Sequence, residues 1–93
     1  MTPEKRRILG ADARQLLENP LLKEAFSKVG DYIEQQALSC APDDTARAQR
    51  IVISKQLLAA IRRELVRVVE DGEVAVIQID AIDKARGLRR FMR

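Results

Sequence analysis

Histidine and tryptophan are both absent from this 93-residue chain, and cysteine occurs once, at Cys40. A lone thiol cannot close an internal disulfide. Without histidine, one subunit cannot assemble a zinc site of the usual Cys/His kind. Cys40 also has no imidazole to activate it, and neither has Ser39 beside it, so nucleophilic catalysis is not expected. Aromatic residues are limited to Phe26, Tyr32 and Phe91, so any core must be aliphatic. Only three prolines and four glycines interrupt the chain, which leaves room for long uninterrupted elements. No apolar run has the length of a membrane span, and no apolar core of a signal peptide follows the N-terminal charges. No glycine-rich phosphate loop is present.

Charge is unevenly distributed. The formal net charge is +3, yet residues 81–93 hold Lys84, Arg86, Arg89, Arg90 and Arg93 against Asp83, a net of +4, and the other eighty residues sum to −1. The high pI therefore describes one segment. The acidic pairs have bland explanations. Asp43–Asp44 stands where a helix needs an N-cap, and Glu70–Asp71 stands in the last turn of an expected helix, where solvation suffices. The basic clusters Lys5–Arg7 and Arg62, Arg63 and Arg67 read as solvated helix faces with local ion pairs. Nothing supplies a cleft with paired catalytic groups, so no enzyme activity, cofactor or metal is expected.

Periodicity predicts an all-α chain. Thr2 can cap and Pro3 suits a first helical position, opening a short helix over about 3–18 whose Ala13, Leu16 and Leu17 share a face. Gly10 weakens its middle. "ENPLLKEAF" ends it, because Asn19 is a good N-cap and Pro20 fits a first turn. A second helix over about 20–40 then carries the stripe Leu22, Phe26, Val29, Ile33, Ala37 and Cys40. The turn "APDD" leads to a third helix over about 44–71, with Ile51, Leu58 and Leu65 seven apart and Ser54, Ile61 and Val68 seven apart. Gly72 is read as its C′ stop. The short loop folds the second and third helices into an antiparallel hairpin, with Leu58 and Ile61 facing Val29 and Ile33.

After Gly72 the spacing changes. "EVAVIQI" favours a strand by propensity and has no second strand to pair with. It is an extended arm over 73–79, a strand added to a partner, or a helix forced by context. The first is the expectation, followed by a short basic helix or arm. The chain thus divides into a helical hairpin domain, 1–72, and a C-terminal arm, 73–93. The third helix keeps a second apolar flank at Ile53 and Leu57. Either the first helix and the arm cover it, or a second subunit does. So few residues for so long a rod favour the subunit, and a homo-oligomer is expected. The arm pairs concentrated charge with apolar groups. Its partner-binding residues are expected to be Lys84, Arg86, Leu88, Arg89, Arg90, Phe91, Met92 and Arg93.

The stretches "ARQLLENPLLKEAF" at 13–26, "PDDTARAQR" at 42–50 and "LVRVVEDGEVA" at 65–75 resemble a group of small helical bacteriophage proteins encoded near head and DNA-packaging genes. The resemblance covers about residues 11–75. Those proteins tend to carry a tryptophan late in the second helix, where this chain reads "ALSCA". The resemblance implies a head-associated or scaffolding-like assembly role, in the host cytoplasm or the virion, with an acidic capsid, portal or other virion protein as partner. A small-terminase-like subunit binding DNA through its basic ends is the alternative.

Overall fold

In the computed structural model, which describes residues 1–91, three helices account for almost the whole chain: α1 (Pro3–Glu18), α2 (Pro20–Leu38) and α3 (Thr45–Phe91). The all-α expectation holds, with no strand among the described residues. The punctuation read from the sequence works through side-chain caps. Thr2 Oγ1 accepts from the amide of Lys5 at 3.2 Å, ahead of Pro3. Asn19 is extended, and its Oδ1 accepts from the amides of Leu21 at 2.9 Å and Leu22 at 3.1 Å. Asp44 Oδ1 takes the amide of Arg47 at 3.1 Å. Each cap satisfies donors that the first helical turn leaves without a partner.

The extended arm does not form. Residues 73–79 are helical, α3 runs through them to Phe91, and the boundary expected at residue 72 lies inside a helix. Gly72 has no positive φ, so it is not a left-handed stop. Local strand propensity is outweighed here. Val74, Val76, Ile77 and Ile79 together disfavour a helix by roughly 2 kcal/mol relative to alanine. Burial of Ala75, partial burial of Ile79 and the polar contacts of Glu73 and Gln78 with Arg14 and Arg6 offset that cost.

Those contacts belong to the first of two compact units, which joins Met1–Gln15 to the chain from Leu65 onward. Here α1 presents Pro3, Arg6, Gly10 and Ala13, at helical steps of three and four, and α3 presents Leu65, Val68, Gly72, Ala75 and Ile79 in the same rhythm. The two helices share the motif Gly-x-x-Ala. Ala13 is 4% exposed and Ala75 is fully buried. A Cβ built on Gly10 would stand 2.7 Å from the Gly72 Cα and 3.2 Å from the Val68 carbonyl oxygen, so the backbones touch at this point. Leu16, expected on the same face as Ala13, is exposed, as are Ile8 and Leu9. Small residues make the closest contact, and Leu65, Val68 and Ile79 are half-buried beside it.

Charged groups flank the crossing. Arg6 donates to both carboxylate oxygens of Asp71, at 2.9 and 3.1 Å, and to Gln78 Oε1 at 2.7 Å. Arg14 pairs with Glu73. The hydrogen bonds from Arg6 hold the Asp71 carboxyl below its ordinary pKa, against the opposing effect of partial desolvation.

The second unit spans Leu16–Glu64 and sets α2 against the first part of α3. Partner numbers rise on α3 as they fall on α2. Arg47 donates to Gln36 Oε1 at 2.7 Å, Lys55 pairs with Glu34 at 2.9 Å, and Leu58 lies 3.9 Å from a Cβ position on Gly30. Ile33 is buried, and Leu22, Phe26, Ala37, Cys40, Ile51 and Leu58 are half-buried around it. Val29 and Ile61 are not in this layer, being 46% and 55% exposed. The face of α3 toward α2 follows Ile51, Lys55, Leu58 and Arg62. At 100° per residue, Ile61 lies about 100° from the middle of that line. Gly30 occupies the place on α2 that the sequence pattern assigned to Val29.

Three outcomes follow for stability. Gly10→Ala forces backbone against backbone and is expected to cost about 1–3 kcal/mol. Gly30→Ala meets only ordinary contact and Gly87→Ala meets open space, so each should stabilise by roughly 0.5–1 kcal/mol through helix propensity. Thermal unfolding followed by circular dichroism checks the opposite signs. Asp71 has a lowered folded-state pKa, so its contribution is complete above the ordinary carboxylate range and disappears as pH falls through the lowered value. Asp71→Asn should therefore lower the melting temperature at pH 7 and lose its effect in strong acid. An equal difference at both pH values would contradict the linkage.

Candidate interaction surfaces

Among the described residues no group of His, Cys, Asp or Glu is arranged to hold a metal ion. Cys40 is half-buried in the turn after α2, with its Sγ 3.6 Å from the Ala41 carbonyl oxygen and 3.7 Å from that of Asp44. Arg47 braces the same turn through Gln36 and Ser39 Oγ, the latter at 3.2 Å. Asp44 is an N-cap, as its position implied. Asp71 is the acceptor for Arg6, an interaction that sequence spacing gave no means of seeing.

What the second unit does carry is apolar surface. A groove of 720 Å³ opens between α2 and α3, lined by Leu22, Phe26, Ile33 and Leu58, with Lys23 and Arg62 among its charged members. Its existence follows from Gly30 and Ala59, which leave the space between the helices unfilled. Outside it, Ile53, Leu57 and Ile61 form a ridge on α3 at steps of four, exposed by 52%, 60% and 55%. Ile53 and Leu57 are the two residues that the sequence pattern assigned to an oligomer interface. Leu21, Tyr32 and Leu38 on α2 are exposed as well.

The C-terminal set lies on α3 itself. Lys84 is exposed and pairs with Asp80 one turn earlier, at 3.2 Å. Arg86 is exposed, and Leu88 is 63% exposed. Arg89, Arg90 and Phe91 continue the helix, but their side chains lie outside the described residues, as do Met92 and Arg93 entirely. The helical backbone brings Leu88 into line with Val74, Ile77, Ala81 and Ala85, a grouping the sequence reading missed because it ended the long helix at Gly72. The signal was present: the seven-residue series Leu65, Gly72, Ile79 and Val68, Ala75, Ile82 run on past that glycine.

No helix among the described residues is long and apolar enough to cross a membrane. Comparison with protein families, curated proteins and solved structures finds no match to this chain.

Proposed function

We propose that this chain is a non-enzymatic assembly protein, a helical body that self-associates and docks a partner through the C-terminal end of α3. The observation that carries the reading is the ridge Ile53, Leu57 and Ile61, exposed along α3 in a unit whose buried apolar side chains include only Ile33 of the large residues. Two helices laid side by side bury one stripe each and leave the opposite stripes to solvent or to another molecule.

Magnitude limits what the ridge does alone. Covering a half-exposed aliphatic side chain recovers about 1 kcal/mol, so three on each of two copies give roughly 6 kcal/mol. That is near the low end of the ~4–15 kcal/mol lost in translational and rotational freedom on association. The ridge by itself therefore supports weak pairing, and a stable assembly needs further surface. The charged and apolar end of α3 supplies it. The phage head and packaging setting of the proteins the chain resembles gives this reading its class: an assembly factor or virion component whose basic end meets an acidic surface.

Leu57→Glu should weaken self-association at least tenfold in sedimentation velocity at micromolar concentration while the helical signal in circular dichroism is unchanged. A wild-type chain that sediments as a monomer at that concentration would refute self-association. Binding of the chain to duplex DNA, with an affinity that collapses as salt rises, would point instead to a packaging role.

A further inference from the structure

The acidic surface that the C-terminal half of α3 meets is, we infer, the same half-helix of a second copy, packed antiparallel across a two-fold axis at Ala81. This rests on reading that end of α3 as a docking surface, and it names the partner. Three observations converge. The first is an unpartnered stripe. Val74, Ile77, Ala81, Ala85 and Leu88 are all exposed, and Ile77 and Leu88 are exposed by 68% and 63%. At 100° per residue they fall within an arc of about 80°, centred roughly opposite Gly72. α1 covers the Gly72 side of α3 within the same unit, so the stripe is on the face that α1 leaves open.

The second is symmetry in the spacing. From Val74 to Leu88 the steps are three, four, four and three, a pattern that reads the same from either end. Reversed and laid against itself about Ala81, it sets Val74 opposite Leu88 and Ile77 opposite Ala85, with Ala81 opposite Ala81. Large residues meet large at the ends, and the small middle lets the helices approach. A parallel pairing would instead oppose Ile77 to Ile77 and Ala85 to Ala85.

The third is charge. The ten residues before Ala81 contain Asp71, Glu73 and Asp80 and no base, a net of −3. The ten after it contain Lys84, Arg86, Arg89 and Arg90 against Asp83, a net of +3. Asp71 and Glu73 are already paired with Arg6 and Arg14 of α1, so the charges that favour an antiparallel register over a parallel one are Asp80 and Lys84 beside the axis. Two-fold symmetry brings the same flank of both helices together, so Asp80 and Lys84, already an ion pair within one helix, come within two residues' offset of Lys84 and Asp80 of the second copy.

The test uses the full chain in sedimentation velocity at tens of micromolar, with every variant also made in a Leu57→Glu background so that the ridge is counted separately. Ala81→Glu places like charges on the axis and should weaken pairing at least tenfold with helicity unchanged, since glutamate is a good helix former at an exposed site. Asp80→Lys and Lys84→Glu should each weaken pairing alone and restore it when mixed in equal amounts. Orientation is read by oxidative cross-linking after Cys40→Ser. Ala81→Cys should link to itself, and Val74→Cys should link to Leu88→Cys in a mixture while neither links alone. Self-linking of Val74→Cys would overturn the antiparallel arrangement. Association abolished by Leu57→Glu and untouched by Ala81→Glu would overturn this interface while leaving the proposed self-association intact. A monomeric wild type would remove both.

Discussion

The contact between Gly10 and Gly72 is the constraint on which the C-terminal half of this protein depends. With a would-be Cβ on either glycine only 2.7 Å from the other's Cα, neither position has room for a side chain. Once the backbones touch there, the neighbours are determined. Ala13 and Ala75 bury beside the crossing, and Arg6 reaches both Asp71 and Gln78. These interactions hold residues 71–79 in a helix against their β-branched composition. The helix in turn aligns Val74, Ile77, Ala81, Ala85 and Leu88, which an extended arm would have scattered over two faces.

A close crossing of small residues stabilises by proximity and hydrogen bonding more than by burying area. Of the large aliphatic side chains of the first unit, Leu65, Val68, Val69 and Ile79 are half-buried, and Ile8, Leu9, Val74, Val76 and Ile77 remain exposed. The second unit reaches a similar end by another route. Gly30 and Ala59 leave a groove where a core would be, and the Ile53–Leu57–Ile61 ridge stays exposed. Buried hydrophobic residues are few because each unit has only two helices to close around. Aliphatic residues are then left facing outward, and it is on these exposed stripes that the proposed interactions rest.

The helix starts were legible because they depend on local chemistry. Thr2–Pro3, Asn19–Pro20 and Asp44 each satisfy the first amides of a helix with a side chain a few residues away, and such contacts are visible in the order of residues alone. The half-buried stripe of α2 was legible for the same reason, apart from a one-residue shift from Val29 to Gly30. Ile53 and Leu57 were legible as an apolar flank, since a helix too wide in its apolar arc cannot hide all of it against one neighbour.

Gly10 and Gly72 illustrate the limit. By local rules one weakens a helix and the other ends it, and both rules are sound when nothing approaches the backbone. Here two positions sixty-two residues apart meet, and a missing side chain becomes the means of contact. The all-α class, the caps and the concentration of positive charge in the last thirteen residues were determined by the sequence by itself, because each depends on neighbours within a turn or on simple counting. The continuation of α3 through residues 73–79, the role of Arg6 and Asp71, and the stripe opposite α1 were decided only by tertiary structure, because close packing and ion pairing between distant segments outweighed roughly 2 kcal/mol of local preference.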